Sequence, residues 1–150
     1  MDEKIIHSQD TDAIVIMIKD KPDGLFTSEL GVFRTEEYKE YLCGVFAVEK
    51  DGGYEISLKL TTERDVADWE FDAVYDYYDE ATVLTEASAL SEVQDCHNPT
   101  WEVVFAVKDS GHIQEKLLAV LKLHFLELQS VYEAVADKEE SYMSAEDQQG

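Results

Sequence analysis

The chain has 150 residues, 45% of them hydrophobic and 11% aromatic, and its 34 acidic against 12 basic residues give a net charge of −22. Disorder needs low hydrophobicity as well as high charge, so this apolar supply points to one folded domain, expected over residues 1–137, with an acidic, frayed tail at 138–150. The charge repels DNA, RNA and anionic membranes and attracts basic proteins, which sets aside direct nucleic-acid binding and membrane docking as expectations.

The start, Met1-Asp2-Glu3-Lys4, lacks the basic opening and apolar stretch of an export signal. No apolar run approaches the roughly 20 residues needed to cross a bilayer. Cys43 and Cys96 suit a reducing compartment better than a disulfide framework, so a soluble, cytoplasmic protein is expected. A high-salt habitat is a poor explanation of the acidity, because the ten lysines far outnumber the two arginines.

Ala13–Ile18 is an apolar, β-branched run that predicts a buried strand. Lys21-Pro22-Asp23-Gly24 predicts a turn, proline presetting φ and glycine supplying a positive φ at its close. Leu25–Phe33 is the return strand. A polar stretch with Glu36, Glu37 and Glu40 leads to a second hairpin, Tyr41–Val48 and Tyr54–Leu60, around Asp51-Gly52-Gly53. Ile56, Leu58 and Leu60 alternate with Glu55, Ser57 and Lys59, so one face of that sheet is expected to be wet.

Asp65–Glu80 supports two patterns. As a helix, Val66, Trp69, Ala73 and Tyr77 share one face, and Asp68, Asp72, Asp76 and Glu80 line another at four-residue spacing. As a strand, Trp69, Phe71, Ala73, Tyr75 and Tyr77 alternate with Glu70, Asp72 and Asp76. Length favours the helix, the reading adopted, and aromatic content favours the strand. Thr82–Leu84 is expected as a short strand or loop, and Glu86–Val93 has no clear pattern. Asn98-Pro99 marks a turn before a strand at Trp101–Val107. Asp109-Ser110-Gly111 opens the longest helix, His112 to Ala136, with Asp109 or Ser110 as cap. Its apolar stripe is Leu117, Leu121, His124, Leu128, Val131 and Val135, widened by Leu118, Phe125 and Tyr132. A sheet face plus a second helix, or a twofold partner, must cover it. The fold class expected is α+β: an antiparallel sheet of about five strands, two consecutive hairpins plus a later strand, packed by the long C-terminal helix and a second helix.

Between Asp65 and Val107 there is no Lys or Arg, yet eleven residues are acidic. On a helix, carboxylates four residues apart stand about 6 Å apart along the axis, of the order of phosphate spacing along a nucleic-acid strand. Such like-charge pairs cost a few tenths of a kcal/mol each, and a chain that tolerates them is expected to use the charge on a partner. The candidate partner-binding residues are Asp68, Asp72, Asp76, Asp79 and Glu80 for charge, with Tyr75, Tyr77 and Tyr78 as contact anchors. A solvated face beside ordinary core aromatics is the plainer alternative.

Other chemistry finds little support. Asp72 to Asp79 has neither the ligand spacing nor the glycine of a calcium loop. Cys96-His97 lacks the paired cysteines of structural zinc and the positive surroundings of a thiol nucleophile. His124 on the apolar stripe is expected to be a hydrogen-bonded core histidine, and His7 and His112 have no motif around them. Patterns for a phosphate-binding loop, a dinucleotide fold or a nucleophile elbow are missing, so no catalytic residue, metal or cofactor is assigned.

In size, charge and Tyr/Asp mixture the chain resembles the small acidic proteins that cover basic active sites, such as immunity proteins of nuclease toxins and phage-encoded inhibitors of defence systems. That resemblance is one of surface and transfers no residue roles. The expected function is a non-enzymatic, immunity-type or inhibitory protein whose negative face docks on a basic, nucleic-acid-handling protein by mimicry. The alternative is a small-molecule-binding or enzymatic domain with its pocket near His124, Trp69 or Trp101, dimeric through the last helix.

Overall fold

In the computed structural model, which describes residues 12–143, six strands form one sheet in the order β2-β1-β3-β4-β6-β5. They are β1 (Ala13–Lys19), β2 (Phe26–Arg34), β3 (Leu42–Lys50), β4 (Gly53–Thr61), β5 (Ala89–Glu92) and β6 (Thr100–Val107). Both predicted hairpins form, β1 with β2 and β3 with β4. The sheet differs from the expected one in two ways. It is mixed rather than antiparallel, because β1 and β3 run parallel through Ile18↔Ala47 and Lys19↔Val48. It also has six strands, the patternless stretch after Glu86 supplying the short edge strand β5.

The parallel pair follows from the link between the hairpins. A 3₁₀ turn, Glu36–Tyr41, carries the chain past the end of β1, so that β3 joins its free side. Tyr41, 4% exposed, anchors this crossing by packing edge-on against His124 and Phe125. Local hydrophobic alternation specifies each hairpin but says nothing about which edge the second one joins.

The turns obey different constraints. Asp51 and Gly52 both have positive φ (52° and 84°), the backbone that a two-residue hairpin loop requires. Gly24 differs from expectation: among the described residues Gly52 is the glycine with positive φ, and at Gly24 the Asp20 side chain lies close against the backbone instead. The Asp20 carboxylate, which accepts from the Leu25 N–H (3.0 Å), occupies the place where a Cβ at position 24 would sit.

Three α-helices follow: α1 (Asp68–Tyr77), α2 (Glu80–Leu84) and α3 (Ile113–Val135). The ambiguous segment is thus helical, and 82–84 is a helical turn rather than a strand or loop. Asp109 caps the 3₁₀ entry to α3 by accepting from the Gly111 N–H (2.9 Å). Every residue of the predicted α3 stripe is buried, and Leu118, Phe125 and Tyr132 flank it half-buried. The helices cover one sheet face, bearing Ile16, Ala47, Ile56, Leu58, Leu60, Trp101, Val103 and Phe105, all at most 1% exposed. Burying the larger of these side chains stabilises the fold by about 1.5–3 kcal/mol each. No helix of the described residues is long and apolar enough to cross a membrane. At the C-terminal end, residues 139–143 are helical, and Tyr142 lies against Trp69 with its hydroxyl on the Asp76 carboxylate (2.7 Å).

Candidate functional site

The α1–α2 segment is held from below by polar contacts that its sequence does not announce. Arg64 grips the Glu70 carboxylate through both guanidinium nitrogens (3.3 and 3.0 Å), while Glu70 also accepts from the Ala67 N–H (3.0 Å) at the open end of α1. The guanidinium hydrogen bond holds the Glu70 carboxyl below its usual range. Arg64 also lies over the Tyr132 ring (4.5 Å), tying the start of α1 to the far end of α3. At the junction of α1 and α2, the buried Glu127 of α3 accepts from the Asp79 N–H and the Thr82 hydroxyl, both at 2.9 Å. One carboxylate thereby satisfies a backbone N–H and a side-chain hydroxyl at the start of α2.

Beneath lies a closed aromatic cluster. Tyr78 stacks on Trp101 (4.2 Å between centroids), and His124 meets Trp101 edge-on (5.4 Å). His124 Nε2 faces the Thr61 carbonyl (2.8 Å), which can only accept, so Nε2 carries the proton and Nδ1 accepts from the Tyr78 hydroxyl (2.8 Å). Burial pushes the His124 pKa down to about 4 and the Tyr78 hydroxyl far up, so both are neutral across the physiological range. Trp101 Nε1 is the buried side-chain polar atom, among the described residues, with no hydrogen-bond partner. Around His124 and Trp101 the space between sheet and α3 is filled by these rings and by fully buried Leu121 and Leu128, and a cavity of about 350 Å³ lies farther along, where Ala106, Val107 and Lys108 face His112, Glu115 and Lys116. His124 is a satisfied core histidine in this geometry.

The eight candidate residues divide accordingly. Asp68, Asp72, Asp76 and Asp79 are exposed, Glu80 is half-buried and Tyr77 is 42% exposed. Tyr75 and Tyr78 do not join them as contact anchors. Tyr78 is 7% exposed inside the cluster, and the half-buried Tyr75 uses its hydroxyl to accept from the Thr100 N–H (2.8 Å), pinning β6. The helical period explains the split: Ala73 and Val74 point into the core, and Tyr78 follows Val74 by four residues onto the same side. Tyr142, in the segment expected to be frayed, adds an aromatic beside Asp76 instead. Its hydroxyl pKa is pushed up to about 12 by partial burial and then by the hydrogen bond to Asp76 and the charge of Asp72.

Electrostatically the outer side of α1–α2 is uncompensated. Among the described residues, Asp68, Asp72, Asp76, Asp79 and Glu80 have no cation within ion-pair distance. The nearest cation in sequence, Arg64, is committed to Glu70 and Glu63. No group of three His, Cys, Asp or Glu side chains among the described residues is placed to hold a metal ion. Cys43 and Cys96 are free thiols, and Cys96 sits in the exposed turn with His97, which lies near Asp65 (3.5 Å). His7 and the other residues before Asp12 lie outside the described residues.

Sequence reasoning missed Glu127, Arg64 and Tyr142. Glu127 had a signal: it follows His124 by three residues, beside the apolar stripe, where a carboxylate must find donors. Comparison with known proteins matches residues 9–143 to a family of unknown function, DUF6762, and the chain belongs to that family. No curated protein and no solved structure matches the chain.

Proposed function

We propose that the chain is a non-enzymatic binding protein whose α1–α2 face docks on a basic protein that handles nucleic acid. The observation that carries this reading is the row of exposed carboxylates, Asp68, Asp72 and Asp76 one helical turn apart and Asp79 beyond, with no cation beside them. Like charges at this spacing oppose helix formation, and the helix is held regardless by Arg64–Glu70 and by Glu127 from the core side. A scaffold that fixes unpaired charges in a row is pre-organised for a cationic surface, since little side-chain ordering is left for binding. Tyr77 and Tyr142 supply aromatic contact area within the row. Fast, salt-sensitive association with a partner rich in Arg and Lys follows from such a field.

The test is capture from a lysate of the native host, or of cells that encounter it, with single-stranded and duplex oligonucleotides as competitors. A basic protein retained at low salt and displaced by either oligonucleotide supports mimicry. A partner that oligonucleotides leave in place removes the nucleic-acid part of the reading. No retained protein at any salt overturns the docking reading and returns attention to small ligands.

A further inference from the structure

The sheet face opposite the helices has no covering layer among the described residues, and its charge differs from the rest of the molecule. Cross-strand partners place Val15 with Val32, Lys19 with Phe26, Phe46 with Ser57, and Lys59 with Glu102 on this outer face. Val15, Phe26 and Val32 are 46%, 57% and 63% exposed, and Leu25 beside them is 80% exposed. Among the described residues these are four of the eight exposed large hydrophobic side chains, gathered in one hairpin. That hairpin, residues 13–34, carries Lys19, Lys21 and Arg34 against Asp20, Asp23 and Glu29, and is therefore neutral in a chain of net charge −22.

We propose that this face is the contact between two copies of the chain. Three observations select a second copy over another occupant. A basic partner is drawn to the acidic helical side and has nothing to neutralise here. A neutral patch is also where two strongly acidic molecules can meet while their carboxylate rows point away from each other. Finally, the face holds both halves of a self-complementary contact, as a twofold interface requires. Phe26 projects from it, and two shallow grooves share Phe46 and Ser57 as floor. One groove, about 260 Å³, runs between Lys19, Phe26 and Lys59. The other, about 170 Å³, lies under Pro22 beside Val48 and Val104.

The charges on this face are mixed in the same way. Lys19 lies over the Phe46 ring (4.2 Å) on the β1 side, and on the β4 and β6 side Glu55 pairs with Lys50 (3.3 Å) and Glu102 stands opposite Lys59. A twofold that lays β1 of one copy across β6 of the other therefore sets Lys19 against a balanced group of charges, with no net like charge brought together. Size also suffices. Six strands at about 4.8 Å spacing and about seven residues at roughly 3.3 Å give a flat area of order 650 Å², near the roughly 800 Å² per partner of a stable interface.

The test is sedimentation equilibrium of the full chain at micromolar concentration, at low salt and at about 0.15 M, where screening falls within about 8 Å. The expected mass is twice 17.1 kDa, with association strengthened by salt as far-field repulsion is screened. The double variant Phe26→Asp/Val32→Asp should stay monomeric with unchanged circular dichroism, because both side chains are exposed. Leu126→Asp, on the exposed side of α3, should leave the dimer intact. A monomer at both salts overturns the proposal, and so does a dimer that survives the double variant or is lost with Leu126→Asp. The acidic docking face stands or falls separately, since its partner binding weakens with salt while this contact strengthens.

Discussion

The two sides of the sheet are built from similar strands and end in opposite surface chemistry. On the helical side, apolar side chains are sealed under α1 and α3, and charge reaches solvent only through a helix whose inner face is locked down. On the open side, the same alternation leaves Val15, Phe26 and Val32 in water beside balanced charges. The difference lies in what each side can tolerate. The helical side gains stability from burial and spends some of it to hold like charges together, whereas the open side carries little charge strain and retains apolar area for an association.

Substitutions should separate the two sides by size of effect. Trp101→Ala empties the centre of the aromatic cluster and should lower unfolding free energy by about 3–5 kcal/mol in urea. Val32→Ala, on the open side, should change monomer stability by less than about 0.5 kcal/mol. Comparable losses at both positions would mean the open face is packed in the monomer.

Acid comes next. The His124 pKa is about 4 in the fold against an ordinary value of 6.5, so the unfolded state binds this proton first. Stability is therefore full above pH 6.5 and falls as pH drops toward 4, by on the order of a few kcal/mol. The groups facing the ring are Tyr78, Tyr41, Trp101 and the Thr61 carbonyl, none of them negative. Protonating surface carboxylates relieves repulsion and acts in the opposite direction, so the comparison is with His124→Gln. The variant should show a shallower loss between pH 6.5 and 4; parallel curves would assign the acid limb to other groups.

Glu127→Ala should cost about 1–3 kcal/mol by stranding the Asp79 N–H and the Thr82 hydroxyl. Amide exchange across α2 should speed up more than exchange in β4. Equal protection in α2 of both proteins would show that Glu127 does not hold the junction. The smallest effect has the opposite sign: Asp72→Lys should raise the melting temperature slightly, by a few tenths of a kcal/mol per relieved pair, with Asp68 left in place because a carboxylate in the first turn of α1 favours the helix. The wild type should itself melt higher as salt rises from low to moderate, and the variant should show a weaker salt response. A wild-type melting temperature flat in salt would remove self-repulsion from the account.

Much of the scaffold was legible in the sequence because it is local. The two hairpins, β6, α3 and its stripe all follow from periodicity and turn chemistry. The parallel β1–β3 pair and the edge strand β5 were not legible, since both depend on contacts far apart in the chain: Tyr41 under α3, and Leu90 against Val103. The candidate site was half legible. Four-residue spacing located the carboxylates, yet three neighbouring tyrosines gave no sign that Tyr78 turns inward to Trp101 while Tyr77 stays outside. Residues 65–80 could be read as helix or strand because aromatic alternation and carboxylate spacing coexist there. The helix forms because Arg64 and Glu127, outside the segment, hold its two ends.

The most direct test of the division between the two sides is a parallel capture at low and high salt with wild type, Asp68→Lys/Asp72→Lys and Phe26→Asp/Val32→Asp. The account predicts that wild type and the sheet-face variant retain the same basic protein at low salt and release it at high salt, while the charge-reversed variant retains none. Retention by the charge-reversed variant, or loss by the sheet-face variant, would contradict the assignment of docking to the α1–α2 face.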